Sequence, residues 1–377
     1  MSDNDLIKLR QELHRRAETA HEEHRTASFI TETLLRTKPA ILHGKVGGRG
    51  IAAEYHSASR GPTVLLRCEL DALPIPEQAS IPYSSQNPGV SHKCGHDGHM
   101  AAMVGLANRL GAASPACGRV ILLFQPAEET GEGAHLVLDD PVLKKLQPDW
   151  VFAFHNLPGY DLGKVIIRPG TFAYGSRGLA ITLTGATAHA AEPEAGRSPA
   201  LAMAQIIEGL SALSGAQTGP GEPALATVIH ARLGVEAFGT TPGEGVVMVT
   251  LRGALEEDID RLERTCRDLA LRIAKAEGLD IDIEKREPFP ATVNDSEAVQ
   301  IVRNAALAAG LEVIELPHPF RWSEDFGHFT KLHRGALFGL GAGPDHPSLH
   351  HPDYDFPDKI LGPAVAVLGG IVDRICG

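Results

Sequence analysis

The sequence has few aromatic residues, few cysteines and no long apolar run. Phe, Trp and Tyr make up 5% of its 377 residues, and there are five cysteines. Five scattered thiols are too few for a disulfide framework, and no apolar run approaches the roughly 20 residues that a membrane-spanning helix needs. Residues 1–5 (MSDND) lack the basic flank and apolar segment of a signal peptide. We therefore expect a soluble, cytoplasmic protein with no membrane partner.

Basic residues are also fewer than acidic residues. The chain has 35 Lys and Arg against 47 Asp and Glu, which gives a formal net charge of −12. Because a nucleic-acid-binding protein needs a basic face, nucleic acid is excluded as a partner. The hydrophobic fraction of 43% and the charged fraction of 22% are those of a globular protein. The length suggests two domains.

Short apolar runs bounded by turn residues predict an α/β sheet. Four such runs cover residues 63–66, 120–124, 151–154 and 336–340. Nearly continuous hydrophobicity is typical of strands buried on both faces. Helices are predicted at the start of the chain (Leu6, Leu9 and Leu13 share one face), over residues 100–113 and over residues 359–375.

The middle of the chain predicts a separate unit. Its patterns follow the order strand, helix, strand, strand, helix, strand, which is the ferredoxin-like order. We expect this inserted α+β domain at residues 176–287, with residues 1–175 and 288–377 forming the α/β domain.

The densest cluster of chemically active residues is residues 92–99 (HKCGHDGH). Cys94 and His96 flank one glycine, so a tight turn can direct both at one point, and thiolate with imidazole suits zinc and related metals. Asp97 could cap the following helix or orient a ligand imidazole. The alternative is a His-rich helix start with a buried cysteine.

Further candidates follow the other predicted strands. Glu128 and Glu129 follow the strand at 120–124, His155 ends the strand at 151–154, and His350 and His351 follow the last strand. One carboxylate can bind a cation while its neighbour acts as a general base. The alternative for the glutamates is a solvated acidic turn, and a single histidine is more often structural. Together with the Cys94 and His96 cluster, these make four elements beside one sheet, and that combination favours a site for one or two divalent ions.

Other histidines divide into two kinds. His189 ends the first strand of the inserted domain, so it can act at the metal cluster only through domain closure or from a second subunit. A surface histidine on a loop is the competing interpretation. His14, His21 and His24 are expected on surface helices, without a function.

Together these motifs resemble the two-domain aminoacylase/carboxypeptidase metallohydrolases over nearly the full chain. The most similar branch contains hippurate hydrolases, N-acyl-amino-acid amidohydrolases and auxin-conjugate hydrolases. The motifs are residues 9–14 (LRQELH), 71–75 (DALPI), 94–99 (CGHDGH), 125–129 (QPAEE), 323–326 (SEDF) and 349–352 (LHHP). The resemblance implies a phosphorylase/hydrolase-like catalytic domain with a mixed sheet flanked by helices, and an inserted ferredoxin-like lid and dimerisation domain.

The resemblance also implies roles for individual residues. The metal ligands would be Cys94, His96, Glu129, His155 and His350. Glu128 would be the general base, and Asp97 and Asp71 would support the ligands from behind. His189 would reach the partner subunit's active site and stabilise the oxyanion, which makes a homodimer through the inserted domain the expected assembly.

The implied activity is metal-dependent hydrolysis of the amide bond in N-acyl-L-amino acids, with an acetyl, benzoyl or similar acyl group. One or two divalent ions are expected, zinc or manganese first, with cobalt and nickel as alternatives. A metallo-dipeptidase or carboxypeptidase on the same scaffold is the nearest alternative. A non-catalytic metal- or ligand-binding protein is the alternative from another class, and Glu128 argues against it because binding alone needs no base.

Two positions depart from the family pattern. Glu69 stands where relatives usually carry Asp, and one extra methylene could shift a ligand or its support. In the inserted domain, Gly239-Thr240-Thr241-Pro242 replaces an Asn-Val-Ile-Pro motif. Because the second region contacts substrate in the family, this departure weakens any assignment of the substrate by analogy.

Overall fold

The computed structural model describes residues 2–213 and 223–377. The chain divides into two units. The sheet unit comprises Met1–Phe172, Thr292–Pro317 and Asp325–Gly377, and the inserted unit comprises Ala173–Ala291 and His318–Glu324.

The described residues form both strands and helices along the whole chain. The strands are β1 (Ile41–Val46), β2 (Gly50–His56), β3 (Thr63–Glu69), β4 (Arg119–Gln125), β5 (Trp150–Pro158), β6 (Val165–Ile167), β7 (Gly170–Ala173), β8 (Gly175–Thr184), β9 (Ala188–His189), β10 (Leu225–Leu233), β11 (Thr240–Thr241), β12 (Glu244–Gly253), β13 (Asp280–Phe289), β14 (Thr292–Asn294), β15 (Val313–Glu315) and β16 (Arg334–Gly343). The helices are α1 (Asp3–Arg15), α2 (His24–Leu35), α3 (His96–Ala112), α4 (Gly133–Asp139), α5 (Pro141–Leu146), α6 (Ala200–Leu213), α7 (Glu256–Ala276), α8 (Ser296–Ala308), α9 (Gly327–Leu332) and α10 (Leu361–Cys376).

An eight-stranded mixed sheet forms the centre of the sheet unit, in the order β1-β2-β4-β3-β5-β16-β6-β15. The four central strands β4, β3, β5 and β16 run parallel to one another. The antiparallel pairs are β1 with β2, β2 with β4, and β16 with β6. All four central strands are those that the apolar runs predict.

Helices cover the central sheet because its strands are apolar on both faces. Every residue of β3 is buried, and so is nearly all of β4, β5 and β16. One continuous apolar cluster joins strand residues to residues of α1, α2, α3, α8 and α10. Leu6, Leu9 and Leu13 are the buried face of α1, as predicted. The predicted mixed sheet flanked by helices is confirmed.

The inserted unit is a four-stranded antiparallel sheet in the order β10-β12-β8-β13. Helices α6 and α7 pack on it, and their apolar residues form a second, separate core with the strands. The chain order β8-α6-β10-β12-α7-β13 is the predicted ferredoxin-like order. Among the described residues, no helix has the length and apolar character needed to cross a membrane.

Candidate metal centre

The candidate site lies at the carboxyl ends of four neighbouring parallel strands. Strand β3 leads to Asp71, β4 to Glu128 and Glu129, and β16 to the turn with His350. In open α/β sheets this edge is where ligands bind. One detail of the prediction is wrong: His155 does not end its strand, because β5 continues to Pro158 and His155 pairs with Gly339 of β16.

A tight turn before α3 directs Cys94 and His96 toward one point. Gly95 is the N-cap of α3 and has φ of 91°, in the left-handed region that favours glycine. A Cβ atom at this position would lie 2.5 Å from Oδ1 of Asn156. The turn therefore depends on glycine both for its backbone conformation and for the close approach of Asn156.

Three overlapping groups of side chains each bring their ligand atoms within 4.8 Å of one another. The groups are Cys94 with His96 and His155, Cys94 with Glu129 and His350, and His96 with Glu128 and Glu129. Sγ of Cys94 lies 3.4 Å from Nε2 of His155, and Nε2 of His350 lies 3.6 Å from a Glu129 oxygen. The structure thus brings together all five predicted ligands and the predicted base.

The two fully buried histidines among the candidate ligands, His96 and His155, each donate a hydrogen bond from Nδ1 to a carbonyl oxygen. Nδ1 of His96 donates to the carbonyl oxygen of Asp71 at 2.9 Å, and Nδ1 of His155 donates to the carbonyl oxygen of Asn156 at 2.8 Å. A carbonyl can only accept, so Nδ1 carries the proton and Nε2 keeps its lone pair in the neutral ring. A metal-binding imidazole is typically held in this way, with the ring nitrogen that does not bind the metal donating to a carbonyl or carboxylate.

Nε2 of His96 is a buried polar atom without a hydrogen-bond partner among the described residues. It lies 3.8 Å from Glu128 and 3.9 Å from Glu129. Leaving such an atom unpaired costs free energy. Thiolate, imidazole and carboxylate around this atom form the donor set that zinc and neighbouring divalent metals prefer. The residues therefore fit a divalent cation.

The electrostatics of the site also favour a cation. Burial opposes the charged form of His96, but the side chain of Asp71, whose Oδ1 lies 3.7 Å from Nδ1, and the charges of Glu69 and Glu129 outweigh it and raise the pKa of His96 to about 10. Burial, with the nearby His99, lowers the pKa of His155 to about 3. A proton and a metal ion would compete for Nε2 of His96, whereas His155 is a neutral donor.

The turn with the two glutamates is held from both sides. The Asp71 carboxylate accepts the backbone N–H of Glu129 at 3.0 Å, and the Asp71 carbonyl oxygen accepts Nδ1 of His96, so Asp71 supports both candidate ligands. Ala127 has a left-handed φ of 53°, and its N–H donates to Glu23 at 2.8 Å. A left-handed non-glycine residue next to a candidate base is typical of a functional turn.

Asp97 connects the site to α1. Its carboxylate accepts hydrogen bonds from Nδ1 of His14 at 2.8 Å and from the backbone of Gly98 at 3.0 Å, and Arg10 pairs with it at 3.4 Å. The N-cap of α3 is Gly95, so Asp97 does not occupy that position. The expectation of an exposed His14 is wrong, because its side chain is fully buried between Asp97 and Glu77. His21 and His24 are about half exposed, as expected, but only His24 lies on a helix, because His21 is in the turn before α2.

A buried network behind the ligands was not predicted. Arg67 pairs with Glu69 and with Asp325, and all three side chains are fully buried. The two ring nitrogens of His99 face Glu69 and Asn156, each at 2.6 Å. The sequence signal for this network is charge inside an apolar strand, since Arg67 and Glu69 lie on β3.

His189 lies in the inserted unit, on the two-residue strand β9, and its side chain is exposed. Strand β9 pairs with β11, so Thr240 lies opposite His189. The departure from the family motif at residues 239–242 therefore adjoins His189 within this unit.

Comparison with known proteins places the chain in a family. The model of peptidase family M20/M25/M40 matches residues 65–374. The N-acetyl-L-cysteine deacetylase of Bacillus subtilis is 31% identical and aligns over 95% of this chain and 85% of its own. The hippurate hydrolase of Campylobacter jejuni is 29% identical and aligns over 96% of this chain and 94% of its own. The crystal structure of a Bacillus subtilis dinuclear metal-binding peptidase of the M20 family superposes with a TM-score of 0.84 and 25% identity, covering 99% of this chain and 98% of its own.

The chain belongs to peptidase family M20/M25/M40. This result confirms the predicted resemblance and the predicted class of activity, the hydrolysis of amide bonds by an amidohydrolase.

Proposed function

We propose that this protein is a metal-dependent amidohydrolase that cleaves the amide bond of N-acyl-L-amino acids and releases an acid and a free amino acid. The carrying observation is the convergence of Cys94, His96, His155 and Glu129 with a neighbouring Glu128. The names of the relatives, a deacetylase of an N-acetyl amino acid and a hippurate hydrolase, support this substrate class.

Cys94, His96, Glu129, His155 and His350 would hold one or two divalent ions, zinc or manganese first and cobalt or nickel as alternatives. A bound ion would supply Lewis-acid polarisation of the scissile carbonyl and lower the pKa of the attacking water. Asp71 keeps Nε2 of His96 available through its carbonyl oxygen and fixes Glu129 through its carboxylate.

Glu128 is the general base of the proposed reaction. It is nearly buried, at 5% exposure, and lies beside the candidate ligands. Its carboxylate would take a proton from the attacking water and pass it to the departing amine, a role that typically contributes about 10²–10⁴-fold in rate. Glu129 would bind the cation, so the adjacent glutamates have different roles.

We propose that His189 acts from the partner subunit of a homodimer formed through the inserted unit. The motif around His189 supports this role by resemblance, and the exposed side chain is free to reach another molecule. Strand β10 is an edge of its sheet and exposes Ile229 and Leu233, followed by the exposed Val235 and Phe238. An unpaired apolar edge is suited to isologous pairing with a second copy.

We also place the protein in the cytoplasm. All five cysteines are free thiols, which is the usual state in a reducing compartment.

The test uses one purified sample of the protein. Its hydrolysis of N-acetyl- and N-benzoyl-amino acids is measured beside its hydrolysis of unblocked dipeptides. Each assay is run after chelator treatment and again after zinc or manganese is restored. We expect turnover of the blocked substrates that chelation abolishes and metal restores. Turnover of dipeptides alone would replace this function by the peptidase alternative. Bound metal without turnover of either set would favour a binding protein.

A further inference from the structure

Lys93 directly precedes the candidate ligand Cys94 and is fully buried. A buried ammonium ion needs partners, because removing it from water is costly. Its Nζ forms an ion pair with Glu77 and donates to the carbonyl oxygen of Tyr354 at 2.8 Å. Glu77 is itself held by Nε2 of His14 at 2.7 Å. No step of the proposed reaction uses this lysine, so its burial needs another reason.

Lys93 contacts the turn of residues 350–354 at both ends. The backbone N–H of His350 donates to the carbonyl oxygen of Lys93 at 2.8 Å. At the other end of the turn, Tyr354 accepts the hydrogen bond from the lysine ammonium group. A third bond, from the N–H of Gln78 to the carbonyl oxygen of Pro352 at 3.3 Å, joins the Glu77 segment to the same turn. Lys93 therefore forms hydrogen bonds to both ends of the turn that carries the candidate ligand His350.

His350 needs such support. Its φ of 64° lies in the left-handed region, which is unfavourable for a residue with a side chain. Its side chain is also 51% exposed, so packing alone does not fix it. A strained conformation persists only where its surroundings determine it, and the two hydrogen bonds between Lys93 and this turn are part of those surroundings.

We propose that Lys93 is a positioning residue whose ammonium group, anchored on Glu77, holds the His350 turn against the Cys94 turn and so sets the spacing of thiol and imidazole. The inference rests on the proposed metal site and adds a residue that touches neither metal nor substrate. The hydrogen bond between His350 and Lys93 uses backbone atoms alone, so a substitution at Lys93 keeps its donor and acceptor and changes only the side chain's contribution.

The experiment is Co²⁺ binding to the full-length protein, measured by chelator competition and by the thiolate-to-cobalt absorption band. Lys93→Met keeps the length of the side chain and removes its charge. We expect its Co²⁺ affinity to fall about 10–100-fold, the usual effect of removing an outer support, together with a changed absorption band. In Lys93→Met, Glu77 keeps His14 but loses its ammonium partner. Lys93→Met with Glu77→Gln removes that unmatched charge and is expected to fold with the same defect.

Two comparisons separate positioning from general destabilisation. Tyr55→Phe removes a buried hydroxyl that bonds Thr37 at 2.5 Å, outside the site, and should leave the Co²⁺ affinity and band unchanged. In a His350→Ala background, Lys93→Met should lower the affinity little further, because its effect passes through His350. The proposal would be overturned if Lys93→Met lowered the Co²⁺ affinity equally in the wild-type and His350→Ala backgrounds. It would also be overturned if Lys93→Met and its double variant with Glu77→Gln both kept wild-type affinity. Neither result would contradict the metal site itself. Absence of Co²⁺ binding by the wild type would overturn both the proposal and the metal site.

Discussion

Oε2 of Glu69 lies 2.6 Å from Nδ1 of His99, in the layer directly behind the candidate ligands. The His99 ring in turn lies 4.9 Å from that of His155 and 5.5 Å from that of His96, centroid to centroid. Glu69 also pairs with Arg67. The longer side chain at this departure from the family pattern thus supports the ligand rings through His99 and is not itself one of the predicted ligands.

We expect Glu69→Gln to destabilise the protein strongly. The change leaves the buried His99 without its charged partner and Arg67 with Asp325 alone, and breaking a buried pair in this way typically costs about 3–5 kcal/mol. Urea unfolding measures the loss. Glu12→Gln is the matched control, because the Glu12 side chain is 42% exposed and its pairs with Arg15 and Arg16 are worth under about 1 kcal/mol. Equal effects of the two changes would contradict the structural role of Glu69.

The stability of the folded protein should fall at alkaline pH because His14 loses its proton there. Burial opposes its charged form, but hydrogen bonds to Asp97 and Glu77 outweigh burial and the nearby Arg10, and raise the pKa of His14 from 6.5 to about 9. A raised pKa stabilises the folded state fully below pH 6.5, and this contribution is lost as the pH rises through about 9. Urea unfolding at a series of pH values between these limits should show a steeper decline for the wild type than for His14→Gln. Parallel curves would show that His14 is uncharged in the folded protein.

The stability of the inserted unit should have the opposite pH dependence, with a loss of stability at acid pH. Burial raises the pKa of Glu263, but hydrogen bonds from Arg177, Arg267 and Lys285 outweigh it and lower the value from 4.5 to about 2. A lowered pKa stabilises the folded state above pH 4.5, and this contribution is lost as the pH falls toward 2. We expect Glu263→Gln to reduce the acid sensitivity of unfolding, followed by circular dichroism. An unchanged acid transition would exclude a contribution from this carboxylate.

The sequence predicts the elements whose signals are local. The four apolar runs lie in the four central strands because burial on both faces favours a nearly continuous series of apolar residues, and Cys94 with His96 is recognisable from one short motif. Strands β1 and β2 escaped prediction, since β1 is largely exposed and carries no apolar run.

The support behind the ligands could not be predicted because it joins residues that are distant in the chain. His14 looks like a surface histidine in its own helix and is buried only because Asp97 and Glu77 meet it there. Lys93 likewise has no helical or strand pattern that reveals burial, and its partners Glu77 and Tyr354 come from two other segments. Only the tertiary fold supplies the partners that make such charges tolerable in the interior.

Subunit complementation tests whether His189 acts in the partner's site. His189→Ala and Glu128→Gln should each be nearly inactive as homodimers. Co-expression of the two, with different purification tags, creates mixed dimers in which one site has an intact Glu128 and receives an intact His189. A random mixture should recover roughly a quarter of wild-type activity, because half the dimers are mixed and each has one competent site. A purified mixed dimer without activity would exclude action from the partner subunit.

The division of roles between the two adjacent glutamates is the central claim, and Glu128→Gln tests it most directly. Metal content and hydrolysis of an N-acetyl-amino acid are measured on the same purified variant, beside the wild type. We expect the metal content of the wild type with turnover lowered about 10²–10⁴-fold, since the amide keeps the shape of the carboxylate and removes the base. Wild-type turnover, or loss of metal together with activity, would contradict the assignment of Glu128 as the base and Glu129 as the ligand.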